Sequence, residues 1–205
     1  MDSYLKHYIN GKWVDSIGGK RHEVISPSTE EPCTEITLGT QADVDAAVAA
    51  AREAFKTFSQ TSREERIALM NRIIEEYKKR IPDFAKSMAA EMGAPVSFAT
   101  MAQAPAGLGG FLGTLPALEQ FSFKEQHGAN TVVYEPIGVV GMITPWNWPL
   151  NQIALKVAPC IAAGNTMVLK PSEECPGNAA IFAEVMDAAG VPPGVFNLVQ
   201  GDGPT

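Results

Sequence analysis

Hydrophobic positions divide the chain into two regimes. From Gln41 to Phe58 the spacing of Val44, Ala47, Val48, Ala51 and Phe55 follows one face of a helix, with Thr40 or Asp43 available as its cap. Ser62 followed by Glu65 forms a capping box, and Ile67, Leu69, Met70, Ile73, Ile74 and Tyr77 carry a second amphipathic helix to about Arg80. Pro82 starts a third helix that runs to Met92 and stops at Gly93. Val96 to Phe121 is helical by composition, although Pro105, Pro116 and four glycines between Gly107 and Gly113 interrupt it. Ahead of all these, Asn10-Gly11 between two short β-prone runs, Tyr8 to Val14, predicts a hairpin, because both turn residues tolerate positive φ.

After Gly128 the period changes. Thr131 to Tyr134 is β-branched and aromatic, and Pro136 ends that strand. Extended and helical segments then alternate: Val139 to Thr144, Leu150 to Ala163, Thr166 to Leu169, Gly177 to Ala189, Val195 to Val199. Near-continuous apolar strands in β-α-β-α-β order predict an α/β fold with a Rossmann-like parallel sheet covered on both faces, one half of a doubly wound nucleotide-binding unit. Pro159 should kink its helix rather than stop it.

Charge adds a contrast between the halves. Residues 1–93 carry 13 basic and 15 acidic side chains, whereas residues 94–205 carry 3 and 8, so the second half has little solvated surface and should be mostly buried, either by its own core or by a partner or missing segment of chain. A net charge of -7 with no basic stripe excludes a nucleic-acid partner from the expectations. The first residues lack a basic-then-apolar leader and the most apolar region is broken by prolines and polar residues, which points to a cytoplasmic protein without membrane association. Cys33, Cys160 and Cys175 form neither a C-x-x-C pair nor a disulfide framework and read as buried thiols.

Several chemistries fail at the residue level. Gly107-Leu108-Gly109 is followed by Leu112 where a dinucleotide fingerprint needs glycine, Gly201-Asp202-Gly203 is too short to test, and there is no phosphate loop. His22-Glu23 lacks the second histidine of a zinc helix.

Two loops at predicted strand ends carry candidate chemistry. In Ile143-Thr144-Pro145-Trp146-Asn147-Trp148-Pro149, two prolines hold Asn147 where its amide could stabilise a developing oxyanion; equally, Asn147 could simply close a turn. Lys170-Pro171-Ser172-Glu173 offers an ammonium and a carboxylate suited to a ribose diol, or an ordinary ion pair ahead of a helix.

The run Glu135 to Gly141, the Pro145-Trp146-Asn147 loop, Lys156 to Pro159, Ala162 to Thr166, Lys170 to Glu173 and Gly190 to Asn197 together resemble the aldehyde dehydrogenase superfamily, and the resemblance extends over the whole chain. It implies that Asn147 is the oxyanion donor, that Lys170 and Glu173 bind the adenosine ribose, with Pro171 and Ser172 between them, and that Ile143, Thr144, Pro145 and Trp146 lie along the cofactor. Gly201 and Gly203 would flank the adenine, and Lys156 would be a relay lysine. Trp148, Gln152 and Leu155, at i, i+4 and i+7 of one helical face, would line an aldehyde tunnel, with plain core packing as the alternative.

The implied organisation is a hairpin and helical part over 1–128, an oligomerisation strand at 129–137, and the first half of an NAD(P)-binding unit over 138–205. The implied cofactor is NAD, favoured over NADP because a carboxylate at the ribose would repel a 2′-phosphate. The implied partners are a small aldehyde, the remainder of the enzyme chain and further copies in a homodimer or homotetramer. Family members are more than twice this long and take their nucleophilic cysteine and general-base glutamate from the later half, so this stretch alone should not oxidise aldehydes. A non-catalytic nucleotide-binding or interaction protein derived from the same fold is the competing expectation.

Overall fold

The computed structural model describes residues 1–204. In chain order the elements are strands β1 (Asp2–Tyr4), β2 (Lys6–Ile9), β3 (Lys12–Asp15), β4 (Lys20–Ile25) and β5 (Pro32–Leu38), then helices α1 (Gln41–Phe58), α2 (Arg63–Lys79) and α3 (Ile81–Met92). A single turn, α4 (Val96–Phe98), passes into a π-helical turn at Ala99–Gln103 and then into α5 (Ala104–Gln120). The strands β6 (Lys124–His127), β7 (Asn130–Val133) and β8 (Val139–Ile143) precede α6 (Pro149–Ala162), β9 (Thr166–Lys170), α7 (Pro176–Ala188) and β10 (Phe196–Leu198).

The helix starts follow from local chemistry. Ser62 and Glu65 cap α2 reciprocally, Ser62 Oγ accepting from the Glu65 N–H and the Glu65 carboxylate accepting from the Ser62 N–H. At α1 the Asp43 carboxylate takes the Thr40 N–H at 2.8 Å. Gly93 ends α3 in the left-handed region, at φ 66°.

The main sheet has the order β3-β2-β10-β9-β8. β8, β9 and β10 run parallel, and β2 joins β10 antiparallel. The opening hairpin is therefore part of the nucleotide-fold sheet, a connection that periodicity does not reveal. Alternation along the strands assigns the two faces. Met142, Met167, Leu169, Phe196 and Leu198 belong to the large core with α2, α3, α5, α6 and α7, where Tyr77, Phe84, Phe111 and Phe182 are sealed. Each such aromatic contributes about 1.5–3 kcal/mol by leaving water. Val168 and Val199 face Ala47 and Ala51 of α1 on the other side. That approach is close: Thr166 donates its hydroxyl to the Ala51 carbonyl at 2.8 Å, and a Cβ on Gly194 would stand 2.6 Å from the Ala50 oxygen.

The glycine cluster in α5 has a packing role. Gly107 lies against Leu150 and the Tyr77 hydroxyl, and a Cβ on Gly110 would come within 3.0 Å of Ala154, so both glycines let α5 sit tightly on its neighbours. α6 continues through Pro159 without ending there.

Two expectations need correction. A second sheet, order β1-β5-β4, lies in the first 38 residues, where the sequence predicts a hairpin alone. Its strands mix charged and apolar residues without strict alternation, so no period marks them. β6, likewise unmarked, pairs with β7 as an antiparallel hairpin. The chain's own core buries only part of the low-charge second half. Residues 149–200 are largely buried, but β7 is exposed along its length, with Val132, Val133, Tyr134 and Ile137 in solvent. The root of this hairpin is anchored where Phe121 meets Phe123 and Tyr134 edge-on and the Arg66 guanidinium lies 5.0 Å from the Phe123 ring centre.

Among the described residues no helix is long and apolar enough to cross a membrane, and no group of three metal-ligating side chains occurs.

Candidate nucleotide-binding rim

Because β8, β9 and β10 are parallel and adjacent, their C-terminal ends open on one rim. Open α/β sheets bind ligands outside such ends. The β8 and β9 exits are tied by the Thr144 N–H, which donates to the Lys170 carbonyl at 3.2 Å. The β9 and β10 exits are tied by the Lys170 side chain. Its ammonium donates to the Glu173 carboxylate at 3.1 Å and to the Gly201 carbonyl at 2.8 Å. One cation thus links residues that the sequence placed in separate motifs.

Both partners of the ion pair keep an open side, at 23% and 29% side-chain exposure. Partial burial pushes the Glu173 carboxyl up, but its own backbone N–H and the Lys170 ammonium outweigh that and hold it below the ordinary carboxylate range. It is ionised at neutral pH. Pro171 is buried and stiffens the turn, while Ser172 accepts the Glu174 N–H at 3.2 Å through its hydroxyl. Gly201 is buried and Gly203 exposed.

On the β8 side, Thr144 is buried and anchors the loop, whereas Ile143 and Trp146 stand out at 74% and 55% exposure and Pro145 is also exposed. Ile143 is the register partner of Lys170, so these exposed apolar groups stand beside the Lys170–Glu173 pair. Asn147 comes next, also exposed. Its side-chain oxygen accepts the Trp148 N–H at 3.1 Å, so the oxygen is engaged locally and the NH2 group is the end left to donate outward. Pro149 then opens α6, whose positive N-terminal end lies directly behind Asn147.

The remaining predicted residues spread along α6. Trp148 is half-buried and meets Phe98 edge-on at 5.7 Å. Gln152 is half-buried, and Leu155 is 54% exposed, so core packing does not account for it in this chain. Lys156 donates to the Gln152 carbonyl at 3.3 Å and borders a groove of about 450 Å³ between β8 and α6, with Ile143 and Cys160. It lies farther along the helix than the Asn147 end of the rim.

Burial raises all three cysteine thiols. Cys160 is sealed against the strand and its thiol is pushed up to about 12 by desolvation; Cys175 is wholly buried beside Glu91, which raises it further; burial also raises Cys33, on the separate β5. One polar residue near the rim escaped the sequence reading. Gln103, buried in the π-helical turn, donates to the Asn147 carbonyl at 3.2 Å. The only signal available was a glutamine in an otherwise apolar run.

Comparison with known proteins agrees with this architecture. The model of the aldehyde dehydrogenase family matches residues 13–205. A 3-succinoylsemialdehyde-pyridine dehydrogenase from a Pseudomonas species is 52% identical over 205 residues, covering 100% of this chain and 43% of the relative. The crystal structure of an aldehyde dehydrogenase from Bartonella henselae superposes with a TM-score of 0.97 at 47% identity, covering 100% of this chain and 44% of that one. A mutant of aldehyde dehydrogenase C from Pseudomonas syringae, in complex with NAD+ and octanal, gives 0.96 at 45% identity over 98% of this chain and 41% of that one. The chain therefore spans less than half the length of these relatives, and over that span it belongs to the aldehyde dehydrogenase family.

Proposed function

We propose that this chain is the N-terminal, dinucleotide-binding part of an NAD-dependent aldehyde dehydrogenase that oxidises an aldehyde to a carboxylic acid. The reading rests on one observation, the Lys170 ammonium joined to both Glu173 and Gly201 at the ends of adjacent parallel strands. A ribose diol would meet a carboxylate that accepts from its hydroxyls and an ammonium that donates to them. NAD fits better than NADP, because the ionised Glu173 would repel a 2′-phosphate. Ile143, Thr144, Pro145 and Trp146 would lie along the dinucleotide, and Gly203 would flank its adenine end. When bound, the cofactor supplies the hydride acceptor.

In this proposal Asn147 aims its NH2 at the aldehyde oxygen, which becomes anionic when a thiolate adds to the carbonyl carbon. The thiolate and the base that activates water would come from chain outside these residues, a reading supported for the thiolate by the burial that raises all three cysteines here. Trp148, Gln152 and Leu155 would shape the approach of the aldehyde. Lys156, held to the Gln152 carbonyl, would act only at a distance from Asn147. Further copies of the enzyme would pair along the exposed β7 strand, and the complete enzyme would work in the cytoplasm.

The test is substitution in the complete enzyme. Asn147→Ala should lower kcat by about 100- to 1000-fold with little change in KM for NAD. Unchanged kcat would remove the oxyanion role. Glu173→Gln should weaken NAD binding and improve NADP binding; unchanged affinity for both would remove the ribose assignment.

A further inference from the structure

Two contacts run from the π-helical turn before α5 onto the rim loop. Gln103 Nε2 donates to the Asn147 backbone carbonyl at 3.2 Å, and the Phe98 ring meets Trp148 edge-on at 5.7 Å. Turns of this kind insert an extra residue into a helix and recur at functional sites. Here the turn ends at Gln103 itself, which is only 5% exposed. A carbonyl cannot donate, so this neighbour requires the amide nitrogen, not the oxygen, of Gln103 on the Asn147 side. Gln103 Oε1 is left buried without a partner among the described residues. An apolar side chain of similar size would avoid that cost to folding. What the glutamine adds is its hold on Asn147.

The consequence follows from one peptide plane. The Asn147 carbonyl and the Trp148 N–H belong to the same planar unit. Gln103 fixes the carbonyl, and Asn147 Oδ1 takes the N–H at 3.1 Å. Orienting the plane therefore orients the side-chain amide that is bonded to it. With Oδ1 engaged, the direction of the Asn147 NH2 depends on a residue 44 positions earlier in the chain. We infer that Gln103 is a positioning residue for the Asn147 amide, acting through the 147–148 peptide. This rests on the oxyanion role proposed for Asn147 and adds the group that aims it.

Gln103→Met in the complete enzyme removes the donor while nearly conserving shape. The expected result has three parts. kcat falls about fivefold, the equivalent of one neutral hydrogen bond, while KM for NAD is unchanged. Amide exchange accelerates at Trp146 to Trp148 and not along α5 or α6. In an Asn147→Ala background the same substitution costs nothing more, because there is no amide left to aim.

A purely structural glutamine would instead loosen α5 and α6 together and would slow both backgrounds equally; either result overturns the inference. Gln103→Leu supplies the same readings should the methionine variant not fold. If Asn147→Ala is slow and Gln103→Met is neutral with unchanged exchange, the inference fails alone. If Asn147→Ala keeps full rate, the proposed oxyanion role fails, and the catalytic part of the inference falls with it.

Discussion

Glu91 illustrates how one side chain can set a pH dependence far from any chemistry. It is almost fully buried, and both of its oxygens accept from the Gly177 N–H at the start of α7, at 3.2 and 3.1 Å. Burial raises its pKa to about 7, with bonds from Thr34, Gly177 and Ser87 working against that rise. A folded pKa above the ordinary value of 4.5 means the native state holds the proton more tightly, so its stabilising effect is complete below pH 4.5 and fades as pH climbs through about 7. Glu91→Gln should accordingly flatten the fall in denaturation midpoint between pH 5 and pH 8, and an unchanged slope would show that Glu91 is ionised throughout. At this scale the sequence was informative wherever a residue's task is local. The proline-stiffened turns that hold Asn147, Lys170 and Glu173 could be read from neighbours, whereas the roles expected of those side chains came from the family resemblance and not from the turns. The bond from Lys170 to Gly201 and that from Gln103 to Asn147 span 31 and 44 positions, and such pairs exist only once sheet order and helix packing are known.

For the elements, the same division holds. Helices with a strong apolar stripe and cap residues were legible from α1 to α3, as was the alternation from β8 to β10. β1, β4 and β5 were not, because they form a thin sheet with polar and apolar residues in no fixed period. The glycines of α5 look like breakers in sequence and are spacers in the fold. Gly107→Ala would set a methyl against Leu150 and the Tyr77 hydroxyl, which is itself held by donating to the Ala104 carbonyl at 2.6 Å. A loss of about 1–3 kcal/mol is expected from this overpacking. Gly109 meets nothing within 4 Å, so Gly109→Ala should gain about 0.5–1 kcal/mol from helix propensity. Denaturant titration of the two variants side by side tests whether close approach, rather than chance composition, explains the cluster; equal effects would argue against it.

As a whole molecule, the chain carries an assembled sheet and a rim, while Ile137, Ile143, Trp146 and the valines of β7 remain in solvent. We expect the isolated 205-residue chain to yield no NADH from aldehydes under conditions in which the complete enzyme does. Reduction of NAD by the pure short chain would contradict the assignment of nucleophile and base to residues elsewhere.

The seam between β2 and β10 has a further implication for biosynthesis. Tyr8 is opposite Leu198 and the Gln200 N–H donates to His7 Nδ1, so β2, paired with β3 on one edge, has its other edge covered by a strand from far later in the sequence. At roughly 5–20 residues per second, a ribosome leaves that second edge of β2 uncovered for about 10–40 s. During that interval the β2–β3 hairpin is a two-stranded ribbon whose β2 edge, covered by β10 in the fold, is bare and open to pairing with another chain.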